Sequence, residues 1–371
     1  MRFLRVSKKN RKLMRNYKTN ISVILILYIF GFYAINSPEL FSQIQNQKCL
    51  ICHSKPDLKI KNEDGSIKQL YVNDSMLAKS PHSKISCYDC HNDIAEITAF
   101  GHKKNISKVQ CTRCHYENNP VGAPETEKYL EFQESVHQQE LDKGNSNAPT
   151  CQTCHGSHDI VKRKSLSSLD LKKKIAQICA KCHLDIYADY KSSIHGLELF
   201  EKNNADVPSC TDCHGEHKIK KHDDPLSSVY ETKIYGTCGE CHASEKIVEK
   251  YGIKSDKIIT YETSYHGIAV QFGEKTAANC ASCHGVHDIK PQDDPASSVN
   301  PNNIVQTCGK CHPDANANYT KGKIHLNSHT EEAGSIYYIS GFFKWLTLIT
   351  ISLLAVHVML DLFRKLKHKT Q

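Results

Sequence analysis

The chain has 371 residues, including 18 cysteines, 22 histidines and one tryptophan, and 39% of it is hydrophobic. This composition is thin for large aliphatic cores, so apolar material must come from elsewhere. The formal charge of +8 is confined to the two ends of the chain: residues 1–18 carry eight basic and no acidic residues, and the tail from Asp361 carries four basic residues against one acid. The part between is slightly acidic, which argues against nucleic acid as a partner.

The N-terminal region, residues 1–36, is predicted to be a signal peptide or a membrane anchor. An apolar stretch from Ile21 to Ile35 directly follows the basic residues. It is short for a membrane span, yet no clear small-residue cleavage site follows, so both interpretations stay open. Either one exports the chain to the periplasm.

The motif Cys-x-x-Cys-His occurs nine times and contains all 18 cysteines. One Cys-x-x-Cys alone is compatible with a zinc knuckle, a thioredoxin-type redox pair or a disulfide. Nine copies, each followed by histidine, instead match covalent haem, in which two thiols add to the vinyl groups and the histidine binds iron. The predicted haem-binding cysteines are Cys49, Cys52, Cys87, Cys90, Cys111, Cys114, Cys151, Cys154, Cys179, Cys182, Cys210, Cys213, Cys238, Cys241, Cys280, Cys283, Cys308 and Cys311.

On these motifs, the chain resembles the multihaem c-type cytochromes with paired haem-binding sequences, over about residues 49–329. A lead motif at 49–53 precedes pairs at 87–115, 151–183, 210–242 and 280–312. The resemblance implies nine haems c and an iron ligand at each motif histidine, which are His53, His91, His115, His155, His183, His214, His242, His284 and His312. We expect a mainly α-helical fold with much irregular structure over residues 37–335, wrapped round a chain of haems whose faces replace aliphatic core.

The second axial ligand of each iron decides between electron transfer and catalysis. Of the four methionines only Met76 lies outside the terminal and membrane segments, so histidine is the expected ligand. Three histidines lie seven residues after the first cysteine of a pair, and three lie 14 or 15 residues before one. These are His158, His217 and His287, and His137, His195 and His266. His325 follows the last motif, and His82 and His102 flank the first pair, which completes nine distal candidates. Spacing alone leaves their pairing with motifs open.

Four histidines fall outside this set. His222 is matched by Gln292 in the next repeat, so the repeat does not require an imidazole there. His329 could substitute for His325. His357 and His368 lie in the C-terminal apolar segment and its tail.

The local sequence predicts helices over 127–142, 182–196 and 257–270, each carrying one distal histidine. Gly196 and Gly267 stand where such helices would end. The repeated DDPLSSV and DDPASSV predict turns. Residues 57–75, with Asp64-Gly65 between alternating runs, predict a small β-hairpin that is either a spacer or a docking surface.

Residues 336–363 are predicted to form a transmembrane helix, with residues 364–371 as a basic cytoplasmic tail. His357 and Asp361 are four residues apart and share one helical face. A haem b ligand or a quinone-linked proton site is one hypothesis for this pair, and interfacial packing is the default.

The leading expectation is an electron carrier in the bacterial inner membrane with its bulk in the periplasm. It would relay electrons between the quinone pool, or a membrane oxidoreductase, and a periplasmic redox partner, because two histidines on each iron leave no position for substrate. The alternative is a reductase of small nitrogen or sulfur oxyanions with one open haem, so enzymatic activity stays open. Lysine-ligated motifs typical of one such family are absent from the sequence.

Overall fold

A computed structural model describes residues 38–62, 65–94, 101–103, 106–123, 127–253, 256–322, 325–327 and 330–369. The predicted N-terminal anchor, residues 1–36, lies outside this set. The chain divides into two compact units, one up to residue 167 and one from residue 168. Both are mainly helical, as the sequence predicts, and the described residues form one two-stranded sheet.

Unit one begins with helix α1, Pro38–His53, which carries the lead motif at its end. The predicted hairpin is confirmed: β1, Lys59–Lys61, pairs antiparallel with β2, Ile67–Gln69. Its turn closes at Gly65, whose φ of 84° suits glycine. The other helices are α2 Asp74–Lys79, α3 Cys87–Cys90, α4 Glu127–Gln133, α5 Val136–Asp142 and α6 Cys151–His155, with 3-10 turns at Cys111–Arg113 and Arg163–Ser165.

Unit two consists of short helices followed by one long one. The short helices are α7 Ser168–Cys179, α8 Leu184–Ser192, α9 Ile194–Phe200, α10 Cys210–His214, α11 Ile234–His242, α12 Glu245–Tyr251, α13 Asp256–Glu262, α14 Tyr265–Gln271, α15 Cys280–His284 and α16 Ile304–Gly309. Two 3-10 turns, Tyr319–Lys321 and Glu331–Ala333, lead to α17, Ser335–Lys369.

The aliphatic core is small. Among the described residues, the buried hydrophobic ones are Ala176, Leu199, Tyr230, Tyr261, Val270 and Ala333, all in unit two. Buried polar residues are more numerous, and several are serines at helix starts. The protein chain alone therefore covers little apolar surface, in line with a fold built round another apolar component.

The three predicted helices that carry distal histidines are each broken in two, which corrects the sequence-based expectation. The breaks fall at Ser135, Ser193 and Ser264, each of which caps the second helix. The hydroxyl of Ser193 accepts a hydrogen bond from the N–H of Gly196 at 3.1 Å and donates to the carbonyl of Tyr190 at 2.6 Å. A serine that serves the backbone on both sides favours a corner over a continuous helix. We call each such pair of helices a serine corner.

The prediction that Gly196 and Gly267 end helices is wrong, because both lie inside the second helix of a corner. Their role is close approach. A Cβ at Gly196 would lie 2.1 Å from the carbonyl oxygen of Tyr190, and one at Gly267 would lie 2.0 Å from that of Tyr261. At these two corners, only glycine lets the second helix come this close to that carbonyl oxygen.

Helix α17 leaves its apolar side chains exposed, among them Phe342 and Leu353. Its segment Ser335–Leu366 has the length and composition needed to cross a membrane. This is the one such helix among the described residues.

Candidate functional site

The first motif of each pair opens a helix. In α3, α6, α10 and α15 the first cysteine is the first helical residue. Ser86, Thr150, Ser209 and Asn279 precede these helices, and each takes part in a capping box. The two thiols of each motif thus lie one helical turn apart on a short, capped helix.

In the last three pairs, a glycine follows the histidine of the first motif, and a distal candidate comes two residues later. Gly215 and Gly285 have φ of 79° and 86°, in the region that favours glycine. These glycines end α10 and α15, and His217 and His287 follow two residues later.

Seven motif histidines each face one of the predicted distal histidines. Their ring centroids lie 6.0–6.3 Å apart. The pairs are His53–His102, His115–His82, His91–His158, His242–His195, His214–His287, His312–His266 and His284–His325. Every partner of a motif histidine here is one of the nine distal candidates predicted from the sequence.

This separation fits one metal ion between two imidazoles. Imidazole nitrogen binds a transition metal at about 2 Å, so two rings on opposite sides of one ion have facing nitrogens about 4 Å apart and centroids about 6 Å apart. The thiols of each motif stand beside its histidine in the chain. The residues present therefore fit haem c with two histidine ligands.

Burial favours the neutral form of several of these imidazoles, which is the form that binds metal. Burial, together with the nearby His242, lowers the pKa of His195 to about 4. Burial is also the main cause of a lowered pKa at His214, His284 and His325.

Several rings are oriented by hydrogen bonds at Nδ1. His53 Nδ1 lies 2.7 Å from the Leu70 carbonyl oxygen, just past β2. His102 Nδ1 lies 2.8 Å from the Lys103 carbonyl oxygen, and His325 Nδ1 lies 2.9 Å from that of Lys257. An Nδ1–H that donates to a carbonyl leaves Nε2 as the metal-binding atom.

The remaining predicted ligands are His137 on α5, His155 at the end of α6, His183 directly before α8 and His217 after α10. Their roles stay predictions. His329 lies outside the described residues, and His222 lies in the turn before DDPLSSV. His357 lies on α17, where Asp361 forms ion pairs with Arg364 at 2.8 Å and Lys365 at 2.7 Å. The carboxylate charge is balanced by the basic tail, and a haem b or quinone site there rests on sequence alone.

The cysteine thiols show which motifs are neighbours in space within each unit. In unit one, thiol hydrogen bonds join Cys49 to Cys87 and Cys111 to Cys151. In unit two they join Cys179 to Cys210 and Cys238 to Cys280.

Thiols of one pair also lie near each other. Burial, together with neighbouring thiols led by that of Cys238, raises the pKa of Cys213 to about 12. The thiol of Cys114 likewise contributes to the raised pKa of Cys90, and that of Cys308 to the raised pKa of Cys283. Motifs adjacent in sequence are therefore adjacent in space within each unit.

Sequence reasoning missed the residues that hold the serine corners and the motifs in place. The hydroxyls of Tyr190 and Tyr261 donate to the carbonyls of Pro208 and Ala278, at 2.7 and 3.0 Å, just before the next motif. In the predicted DDPLSSV turn, Ser228 donates to the Cys213 carbonyl, and Thr237 donates to the Ser228 carbonyl at 2.6 Å. Two repeated sequences could have pointed to these residues: Tyr-x-x-Ser-x-His-Gly, and the Ser-Ser-Val shared by DDPLSSV and DDPASSV.

The motifs and the facing histidines define a multihaem c-type cytochrome, and known proteins agree with that class. Residues 79–225 match the family described as outer membrane cytochrome MtrC/MtrF-like, domains II/IV. The chain is 26% identical to the cytochrome c-type protein NrfB of Haemophilus influenzae over 174 residues, which cover 39% of this chain and 67% of the relative. It is 25% identical to NrfB of Escherichia coli O6:H1 over 156 residues, covering 38% and 71%. No solved structure matches the chain.

The chain is thus a multihaem cytochrome c involved in electron transfer, and this class implies covalently bound haem c and redox partners. The matched family of outer membrane cytochromes agrees with an extracytoplasmic or membrane-associated location.

Proposed function

We propose that this chain is a nonahaem electron relay held at the bacterial inner membrane, with residues 37–335 in the periplasm. It would carry electrons between the quinone pool, or a membrane oxidoreductase, and a periplasmic acceptor. Haem c supplies the one-electron iron couple when bound. The residues supply attachment, axial ligands and spacing.

The observation that carries this proposal is the set of seven facing histidine pairs, with centroids 6.0–6.3 Å apart. An iron with an imidazole on each side has no free position for an oxyanion, so such a site exchanges electrons rather than binding substrate. Low potentials are typical of two histidine ligands compared with a histidine and a methionine. This favours the relay over the reductase.

The thiol contacts support a sequential order of haems. Cys49 contacts Cys87 and Cys111 contacts Cys151 in unit one, and Cys179 contacts Cys210 and Cys238 contacts Cys280 in unit two. Since the rate of electron transfer falls steeply with distance, neighbouring attachment points favour transfer from each haem to the next one in the chain. Motif order would then be the order of the electron path within each unit.

Helix α17 supports tethering, because its exposed apolar length suits a bilayer and a basic tail follows it. A fluorescent-protein fusion after residue 371 tests the orientation: fluorescence is expected if the tail is cytoplasmic. Activity of an alkaline phosphatase fused at the same place would instead put the tail outside and overturn this part of the proposal.

The central test uses the purified full-length chain. Mass spectrometry should find nine covalent haems, and electron paramagnetic resonance (EPR) of the oxidised protein should show low-spin ferric iron throughout. A substantial high-spin signal would contradict the relay and favour the reductase. Fewer than nine haems would contradict the nonahaem assignment.

A further inference from the structure

The last serine corner exposes an apolar face of its second helix. Tyr265 on α14 is 85% exposed, Ile268 is 46% exposed, and Phe272, directly after the helix, is 88% exposed. In a helix with 3.6 residues per turn, these three positions share one side. We call this side the α14 face. Large apolar side chains that are exposed together, and not singly, mark interaction surfaces.

The α14 face is distinct from the side of the helix that carries the metal ligand. His266 faces His312, with ring centroids 6.1 Å apart. Successive helical residues are turned by about 100°, so the three side chains of the α14 face lie at least about 100° from His266 round the helix. Gly267 lies on a further side, against the Tyr261 carbonyl oxygen of α13. The α14 face therefore points away both from the facing histidines and from α13.

The corresponding face of the preceding corner is covered by a later part of the chain. Ile194 follows Ser193 on α9 as Tyr265 follows Ser264 on α14. Ile194 is half-buried, and its N–H donates to the Ile289 carbonyl at 2.8 Å, in the segment after motif 280–284. After motif 308–312, residues 313–334 lead to α17 without another motif. The part of the sequence where a covering segment would come next is thus taken by α17.

Hydrogen bonds tie the last corner to the chain shortly before α17. His325 Nδ1 lies 2.9 Å from the Lys257 carbonyl oxygen and 3.3 Å from Thr260 Oγ1, both on α13. Helix α17 begins at Ser335, ten residues after His325. Ten residues span at most about 36 Å, even when fully extended. The corner is therefore held close to the helix that is long and apolar enough to cross a bilayer.

We propose that the α14 face docks on the periplasmic surface of the inner membrane, with Tyr265 and Phe272 at the level of the lipid headgroups. The short connection to α17 keeps this face near the bilayer. Aromatic side chains are enriched at membrane–water interfaces, and a helix with one apolar face lies in the plane of the interface. Lipid is thus the occupant that the position and the chemistry of the face favour.

This docking deepens the proposed function and rests on it, because it requires α17 to span the membrane. His266 lies on the same helix as the docked face. The haem held by His266 and His312 would therefore stand beside the bilayer, and the last motif would be the membrane end of the relay.

The test is photo-cross-linking of the full haem-loaded chain in nanodiscs of phosphatidylethanolamine and phosphatidylglycerol. The photoreactive residue p-benzoylphenylalanine replaces Phe272 in one variant. In the matched control it replaces Glu201, which is exposed at the corresponding place after α9. Mass spectrometry should find phospholipid adducts at position 272 and none at position 201. Adding Tyr265→Asp and Ile268→Asp should abolish the adducts at 272, because charged side chains oppose docking on lipid, while EPR of the haems stays unchanged.

The same photoreactive residue at Leu353, an exposed position of α17, separates this inference from the proposed tethering. Adducts with lipid are expected there, and their absence would overturn the tethering together with the docking. If position 353 reacts with lipid and position 272 does not, the docking is overturned and the tethering stands. Equal adducts at 272 and 201, or cross-linking of position 272 to a second copy of the chain, would overturn the docking in the same way.

Discussion

The first pair of motifs, 87–115, and the last two, 210–242 and 280–312, are built differently. Spacing within the pair is 24 residues in the first and 28 in the others. The second motif of the first pair opens with a 3-10 turn, Cys111–Arg113, where the later pairs have a longer helix. Asn92 follows the motif histidine in place of Gly215 or Gly285.

The arrangement of histidines is nevertheless the same. In both kinds of pair the first motif histidine faces a histidine from further along the chain, as His91 faces His158 and His214 faces His287. The second faces one from upstream, as His115 faces His82. The local backbone of the pairs therefore varies, while each motif histidine still takes its partner from the same direction along the chain. Each of these first motifs also depends on the following repeat.

The largest expected effect tests that dependence. His158→Ala should leave nine haems attached and convert the haem of Cys87 and Cys90 from low-spin to high-spin, although its own motif is intact. EPR of the oxidised protein measures this. His222→Gln is the matched control, since Gln292 occupies the corresponding place in the next repeat, and it should change nothing. A fully low-spin His158→Ala protein would break the comparison.

A moderate effect is expected at the glycine of a serine corner. Gly267→Ala puts a Cβ 2.0 Å from the Tyr261 carbonyl oxygen, and the corner has to open. Overpacking of this kind costs about 1–3 kcal/mol, and we expect a lower denaturation midpoint together with partial high-spin character from displacement of His266.

Gly236→Ala is the control for this change. Gly236 also lies in a helix of unit two, but nothing lies within 4 Å of its added Cβ. The midpoint should stay unchanged or rise slightly, because alanine favours helix more than glycine. Equal effects of the two substitutions would show that the corner does not depend on close approach.

Much of the site could be predicted because ligand chemistry is written in residue type and spacing. Both members of all seven facing pairs belong to the motif histidines and the nine distal candidates predicted from the sequence. Which histidine faces which could not be predicted, since the partner of His214 lies in another repeat, at His287, and the pairing depends on how repeats pack.

The fold was less predictable where a side chain competes with the helix. The sequence around Ser193 has helical periodicity, yet the hydroxyl bonds the backbone on both sides and breaks the helix. Gly196 looked like a helix end because glycine favours that place, whereas its actual cause is the carbonyl of Tyr190. The hairpin was predicted correctly from Asp64-Gly65 between two short alternating runs.

The smallest expected effect concerns the asparagine hydrogen bonds that hold the first motif of a pair against an earlier part of the chain. In the first pair, Asn46 of α1 donates to the Ile85 carbonyl at 3.0 Å and accepts from the Cys87 N–H at 2.8 Å. Asn46 is buried, so Asn46→Ala loses both bonds at a cost of about 1–2 kcal/mol. Faster hydrogen exchange at the Cys87 amide would report it, and the exposed Gln47→Ala is the control.

In the last pair, the asparagine that makes this connection lies directly before the motif instead of in an earlier helix. Asn279, the residue before Cys280, donates from its side chain to the Glu231 carbonyl at 3.1 Å. Asn279→Ala should therefore loosen its own motif by a similar amount while leaving the first pair unchanged. If Asn46→Ala sped up hydrogen exchange at Cys280 as strongly as at Cys87, the effect of these asparagine hydrogen bonds would not be local. The backbone around each motif would then not vary independently of the histidine pairing.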